Sequence, residues 1–357
     1  MKKAEKNKLR IKDIAELAHV SAGTVDRVLH NRGEVAEETR RQVLSIIDQM
    51  GYTPNLLAKS LASKKHYKIA ILIPSFENDN PYWEKPLIGI RQAFTELEDF
   101  NSNLHLLTFD LNSEQSFWNA FNTVLEQEPD GLIFSPVFYN RSLEIVKICE
   151  ARDIPFIFID VNIDSCSNLA YFGQNSLQSG YLAGRLLDYG LDRESTVLIL
   201  KIASKDGITH HLKKREEGFM SYVHSVGDNR QIKSLEIETS KTGEIEQILL
   251  EAFHSSPDIR GIFVTNSKVH LIAGFLEKKR LNNVLLLGYD LIDQNLEYLE
   301  KGVIDFLIGQ KPEEQGYKSV ISLFNYLMAK KTPEKVNYSP IDIIMKENID
   351  YYKNFKY

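Results

Sequence analysis

Residues 11–31, IKDIAELAHVSAGTVDRVLHN, decide the reading of the amino end, because two short amphipathic helices meet there across a three-residue turn. Ile11, Ile14, Ala15, Leu17 and Ala18 recur at helical spacing. His19-Val20-Ser21 makes the turn, and Ser21 is a good N-cap because its hydroxyl accepts from an orphan N–H of the following turn. A second helix is predicted from Ala22 to about His30, burying Val25, Val28 and Leu29. After Asn31-Arg32-Gly33, a third opens with Glu37 and Glu38 at its positive dipole end and carries Val43, Ile46, Ile47 and Met50 inward. Gly51 supplies its stop, with Pro54 beyond. Three short helices with a tight second turn match the helix-turn-helix, whose second helix enters the major groove of DNA. Spacing alone fits a small structural bundle equally well.

The charge distribution adds a functional signal. The formal net charge of −6 conceals a head, residues 1–65, that carries +5, which leaves −11 on the remainder. A basic module gains free energy by neutralising phosphates and releasing counterions, although a basic head is often just a solvated face. At 357 residues, 43% hydrophobic and 26% charged, the chain is expected to fold as two or three globular units. No run approaches the roughly 18 apolar residues of a membrane span, and the first residues lack the apolar segment of about 7–15 residues of a secretory signal. No membrane partner and a cytoplasmic location are therefore expected. Cys149 and Cys166 are the only cysteines and neither has metal-site spacing, so no disulfide, metal or cofactor is expected.

The string from Ile11 to Lys65 resembles, without a gap, the head of the lactose-repressor (LacI) family. Its pieces are D-I-A-x-x-A-x-V-S, T-V-x-R-V, V-A-E-E-T-R, G-Y-x-P-N and A-x-S-L, in family order. The resemblance implies double-stranded operator DNA as a partner, contacted through Ser21, Thr24, Arg27, Asn31, Asn55, Ala58 and Leu61. Arg27 matches the arginine of the recognition helix, a side chain suited to donate two bonds to guanine O6 and N7. Ala22 and Gly23 depart from the pattern and offer bases no side-chain hydrogen bonds. Gly23 also costs a helix about 1 kcal/mol relative to Ala, which suggests a close backbone approach or tolerated strain. Arg10, where the first helix usually has its cap, is a poor N-cap. The nine residues Asn55–Ser63 are good helix formers, but isolated helices shorter than about 12 residues are marginal. The resemblance implies that two such segments pair in the minor groove of a homodimer's operator, with Leu61 as an apolar wedge. A plain linker helix is the bland alternative.

From Tyr67 onward, continuous apolar runs alternate with helical stretches: 68–74, 104–110, 131–136, 155–160, 196–202, 261–266 and 284–290. Such runs imply parallel sheets covered on both faces, and ligands in these sheets bind beyond the carboxyl ends of the strands. The expected architecture is an N-terminal all-α helix-turn-helix (9–53), a hinge helix and linker (54–66), and a C-terminal α/β body of two doubly wound parallel-sheet lobes (67–357). The strand-end residues are Asn80, Tyr82, Trp83, Ser135, Asp160, Asn266, Asp290 and Gln310. Carboxylates and amides suit sugar hydroxyls, and aromatic faces suit sugar C–H surfaces. Taken singly, a strand-end Asp or Asn commonly caps a helix and an aromatic commonly fills a core.

The body resembles the type I periplasmic sugar-binding-protein fold that LacI-family members carry. Asn80-Pro81-Tyr82-Trp83, Arg215-Glu216-Glu217-Gly218-Phe219, Val264-Thr265-Asn266, Gly288-Tyr289-Asp290 and Gln310-Lys311-Pro312 fall in family order. That likeness implies a ligand arginine at Arg215 and a small sugar-like effector. Ser135 replaces an asparagine of the ribose-binding pattern and Val161 an arginine; Asn162 is a candidate substitute for the latter. His210 and His211 are expected in a solvent-facing loop before Arg215. A sugar kinase is disfavoured because D-x-G-x-T is missing, and no phosphate cradle, nucleophile elbow or dinucleotide turn occurs. A periplasmic solute receptor would need an export signal and no basic head. The expected function is a non-enzymatic, sugar-responsive transcriptional repressor; a sugar-processing enzyme or solute receptor of the same lobed fold is the alternative.

Replacing Arg27 by Ala is expected to cost about 1–3 kcal/mol of operator affinity and to relax preference at one symmetric base position. Titrations against an operator and its single-base variants check this. An equal loss on every sequence would reduce Arg27 to a phosphate contact.

Overall fold

A computed structural model of the chain describes residues 11–29, 33–50, 66–76, 81–100, 102–203, 210–238 and 243–353. The chain divides into a head that ends at Lys65 and a body that begins at His66. In the head, the helical spacing becomes α1 (Ile11–Leu17), α2 (Ala22–Leu29) and α3 (Glu37–Gln49). Ile14, Ala15, Ala18, Val25, Val28 and Val43 form its core. The turn is closed as the hydroxyl of Ser21 implies, with the Thr24 N–H donating to Ser21 Oγ at 3.1 Å. Two apolar residues expected inside lie outside: Leu17 is 50% exposed and Met50 41%. Each ends a helix, beyond the reach of a core built from so few side chains. Gly23 has no close neighbour to explain it, since an added Cβ would meet only Ser21 Oγ, at 3.7 Å.

The body contains two six-stranded sheets of matching order. The first lobe uses β1 (Tyr67–Pro74), β2 (Ser102–Phe109), β3 (Gly131–Phe134), β4 (Phe156–Asp160), β5 (Ala170–Gly173) and β11 (Val336–Tyr338), arranged 2-1-3-4-5-11. The second uses β6 (Thr196–Ala203), β7 (Ile232–Glu238), β8 (Ile259–Val264), β9 (Leu285–Tyr289), β10 (Phe306–Gly309) and β12 (Asp342–Ile344), arranged 7-6-8-9-10-12. All pairings are parallel except that of β10 with β12. Between the strands of the first lobe run α4 (Glu84–Leu97), α5 (Glu114–Glu126) and α6 (Tyr139–Ala151). The second lobe takes α7 (Ser176–Asp188), α8 (His210–Ser225), α9 (Ile245–Ser255), α10 (Val269–Lys279) and α11 (Asp293–Glu300).

Residue alternation along β6 shows why its run is apolar throughout. Val197 and Ile199 enter a core with Ala183 and Leu187 of α7 and Phe219 of α8. Leu198, Leu200 and Ile202 enter the opposite core with Leu249, Ile272 and Leu299. Successive side chains of a strand point to opposite faces, so a sheet covered on both sides needs apolar residues at every step.

The chain passes between the lobes after β5, again after β10, where α12 (Pro312–Ala329) returns to pack on the first lobe, and a third time between β11 and β12. At the contact of α7 with α8, two glycines leave no room for a side chain. A Cβ on Gly180 of α7 would stand 1.9 Å from the Arg215 carbonyl oxygen of α8, and one on Gly218 of α8 would stand 1.9 Å from that of Leu177. Gly180→Ala is therefore expected to destabilise the body by at least about 1–3 kcal/mol, because two backbones must part. Gly243→Ala meets nothing within 4 Å and serves as the near-neutral control. Equal denaturation midpoints for the two variants would show that the helices part freely.

Candidate functional site

The carboxyl ends of the strands in each sheet present an aspartate at the same place, the end of the fourth strand. Asp160 closes β4 and Asp290 follows β9, and both have left-handed backbones, with φ of 64° and 73°. Such a conformation costs a non-glycine residue of the order of 1–3 kcal/mol and persists where the surroundings hold it. At Asp160 the holding contacts are a tight turn, with the Val161 N–H donating to Ile159 O at 2.7 Å, and the Tyr171 hydroxyl donating to the Asp160 carbonyl at 3.0 Å. At Asp290 it is the buried Asn295 carboxamide, which donates to the carbonyls of Ser267, Tyr289 and Asp290, each at 2.9 Å.

Arg215 occupies the second-lobe side of the cleft and is 2% exposed. Its guanidinium lies 3.6 Å from the centroid of the Tyr289 ring. Nη1 donates to Thr265 O and Nη2 to Gln310 Oε1, both at 2.7 Å, while Nε has no partner. The Gln310 amide then donates to Asp290 Oδ1 at 2.7 Å. Arginine and aspartate are thus joined through one carboxamide and not directly. On the first-lobe side, the Tyr82 hydroxyl donates to Asp160 Oδ1 at 2.7 Å.

Burial pushes the Asp290 carboxyl up to about 7 against the opposing pull of Arg215 and Gln310, with Asp160 and Glu313 adding to the rise. Burial also raises Asp160, opposed by the Tyr82 hydrogen bond and Arg215. The Tyr82 phenol is pushed well above its usual range by burial and then by the two carboxylates. The lobes meet across Lys214 and Asp164, 2.7 Å apart, and across the rings of Tyr139 and His210.

A cavity of about 670 Å³ opens beside Tyr82, Asp290 and Gln310, with Lys85, Asp342 and Tyr351 on its outer wall. A second, of about 740 Å³, lies at the amino ends of the second-lobe strands beside Ser195, Asp258 and Asp305. Ligands in parallel sheets bind at the carboxyl ends, which favours the first.

Of the residues expected from sequence, Tyr82, Asp160, Arg215, Asp290 and Gln310 are brought together. Ser135 is fully buried at the end of β3 with an unpartnered hydroxyl. Trp83 is buried edge to face against Tyr82. Asn266 has both ends of its carboxamide committed to backbone, donating to Ile202 O at 2.5 Å and accepting from the Lys268 N–H at 3.2 Å. Asn162 turns to Asp164. His211 corrects an expectation: it is not in a solvent-facing loop but half-buried in the first turn of α8, its pKa well below the ordinary value through burial, Arg215 and His210. Ser21 and Thr24 are bonded to each other, and the exposed Arg27 donates to Gly23 O at 3.3 Å. Asn31, Asn55, Ala58, Leu61 and Asn80 lie outside the described residues. Sequence reasoning missed Tyr289, although it lies beside Asp290, and Asn295, for which no local signal exists.

A helix-turn-helix followed by two doubly wound lobes around a polar cleft defines a DNA-binding protein with a small-molecule-binding body. Residues 10–55 match the model of the bacterial regulatory proteins of the lacI family, and residues 69–331 match a periplasmic binding protein domain. The chain belongs to the LacI family of bacterial regulatory proteins and is a DNA-binding transcription regulator. It is 25% identical to the HTH-type transcriptional regulator IdnR of Escherichia coli over 281 residues, 77% of this chain and 78% of that one. It is 35% identical to catabolite control protein A of Streptococcus mutans over 192 residues, 50% of this chain and 56% of that one. The crystal structure of a Bacteroides fragilis chain assigned as a LacI transcriptional regulator matches with TM-score 0.76 and 34% identity, covering 81% of this chain and all of that one. GanP, a glucose-galactose binding protein of Geobacillus stearothermophilus, shares the fold at TM-score 0.70 and 22% identity, over 80% of this chain and 99% of its own.

The raised Asp290 carboxyl has a consequence for stability. The folded pKa of about 7 lies above the unfolded value near 3.9, so its stabilising contribution is full below about pH 4 and is lost as the pH rises through 7. Asp290→Asn removes this dependence and is expected to be more stable than the wild type at pH 8 by a few kcal/mol, with the gap closing toward pH 4. Denaturation midpoints across that range check it; a gap independent of pH would show that Asp290 ionises in the cleft as in the unfolded chain.

Proposed function

We propose that the protein is a repressor whose operator affinity is set by one small polyhydroxylated ligand held between the lobes. The observation that carries this reading is the row of buried, directional polar groups at the cleft: Tyr82 with Asp160, and Arg215 through Gln310 to Asp290. Buried polar groups are costly unless satisfied, so a cleft that retains them is suited to hydroxyls able both to donate and to accept. Among the described residues Asp160 is paired with the Tyr82 phenol and Asp290 with the Gln310 carboxamide, partners suited to holding hydroxyls, and we read the protein as non-enzymatic. Among the described residues no helix is long and apolar enough to cross a membrane, and we place the protein in the cytoplasm.

The working unit is a homodimer. Its paired 54–66 segments and two heads engage a pseudo-palindromic operator, with Ser21, Thr24, Arg27, Asn31, Asn55, Ala58 and Leu61 toward DNA. A ligand acts only through its differential affinity for two arrangements of the lobes. Lys214–Asp164 is a contact that separates if the lobes open, whereas the donation from Gln174 Nε2 to Gly309 O at 2.9 Å joins two of the segments that cross between them.

Calorimetry and operator-retention assays with a panel of monosaccharides test the reading. Asp290→Ala is expected to weaken the best ligand by about tenfold to a hundredfold, the value of a charge-assisted hydrogen bond. Undiminished affinity in a stably folded Asp290→Ala protein would remove Asp290 from the site, and operator retention indifferent to every sugar would overturn the sugar-responsive reading.

A further inference from the structure

The charges around the cleft do not balance. Asp160 is half-buried and Asp290 buried at strand ends, and each accepts its cleft hydrogen bond from a neutral group, the Tyr82 phenol or the Gln310 amide. Arg215 is the cation that acts on both, and its two Nη groups are spent on Thr265 O and Gln310. The other charges nearby are already matched among the described residues. Lys85 lies 3.8 Å from Glu313, Lys311 lies 3.4 Å from Asp342, and Lys214 bonds Asp164. Asp293, on the wall of the cavity beside Asp290, is a further carboxylate. His211 is kept neutral by burial and by the adjacent Arg215 and His210. Val161, which follows Asp160, is buried and supplies no charge. Among the described residues one cation therefore faces two carboxylates, and the mutual repulsion of Asp160 and Asp290 is one reason that Asp290 holds its proton.

Resting on the reading of the cleft as a ligand site, we propose that its preferred ligand is a polyol that carries one positive charge, an amino sugar or aminocyclitol, whose ammonium sits where the fields of Asp160 and Asp290 overlap. Three N–H donors on a compact cation suit two acceptor-only carboxylates. The ligand's remaining hydroxyls meet Tyr82 and Gln310, which line the same cavity. A neutral hexose in the same place leaves one carboxylate without a counter-charge, and its binding favours the protonated form of Asp290. An ammonium does the opposite and favours the carboxylate.

The test is calorimetry of the full-length protein with D-glucose and D-galactose beside their 2-amino-2-deoxy and 6-amino-6-deoxy derivatives, at about pH 8 and about pH 5.5. The 6-amino group is an alkyl ammonium with a pKa near that of lysine, about 10.4, and stays charged at both pH values. One amino derivative is expected to bind about tenfold or more tightly than its neutral parent at pH 8. That ratio is expected to shrink at pH 5.5, where Asp290 is protonated, and to fall toward one in Asp290→Asn. The wild-type pH profile gives the answer by itself if the variant folds poorly. Neutral hexoses that bind as tightly as every amino derivative at pH 8 would overturn the charged-ligand inference and leave the sugar-binding reading standing. No binding by either class at millimolar concentration would overturn both.

Discussion

A buried guanidinium needs partners for its charge, and those made for Arg215 organise the second lobe. Its plane rests on Tyr289, its Nη groups reach the ends of β8 and β10, and its backbone carbonyl is the point at which α7 comes close enough to exclude a side chain at Gly180. One residue of α8 thereby links two strand ends and a helix interface. Removing partners from a buried charge costs about 3–5 kcal/mol, so helix position and cleft chemistry are not independent. The same packing that holds α7 on α8 keeps the arginine aimed at Gln310.

The two lobes repeat one order of strands, and the repetition extends to the chemistry. Each sheet ends its fourth strand in an aspartate with a left-handed backbone, but the supports differ: a three-residue turn and Tyr171 in one lobe, the Asn295 carboxamide in the other. Equivalent carboxylates reached by unlike supports face each other across the cleft. The charge on Asp160 adds to the cost of ionising Asp290, so whatever compensates one carboxylate bears on the other.

Much of this was legible in the sequence where a pattern repeats over several residues. The head could be read from apolar residues three and four apart and from Ser21, and seven strands from their continuous apolar runs. The strands that escaped are those without such a run. β7 is an edge strand with alternating polar residues, and β5, β10, β11 and β12 have only three or four residues each. At the site, order and residue type located Arg215, Asp290 and Gln310, but not the contacts between them. The glutamine lies 95 residues from the arginine and 20 from the aspartate, and the bridge it forms depends on where β10 ends. Asn266 shows the converse, a residue of the right type in the right place whose carboxamide serves the backbone instead.

The three passages between lobes also govern the order in which the protein can be built. The first lobe needs α12 to cover it and β11 to complete its edge, yet both follow β6 to β10 of the second lobe in the chain. Roughly 140 residues separate the end of β5 from the start of α12. At ribosomal rates of about 5–20 residues per second, the first lobe waits roughly 7–30 s with a strand edge unpaired and an apolar face bare. The first sheet gains its last strand only when synthesis has passed Tyr338, and the second only when it has passed Ile344. Nascent first lobes are thus exposed to mispairing with one another on crowded polysomes, and chaperones that cover apolar surface have their longest opportunity during this interval.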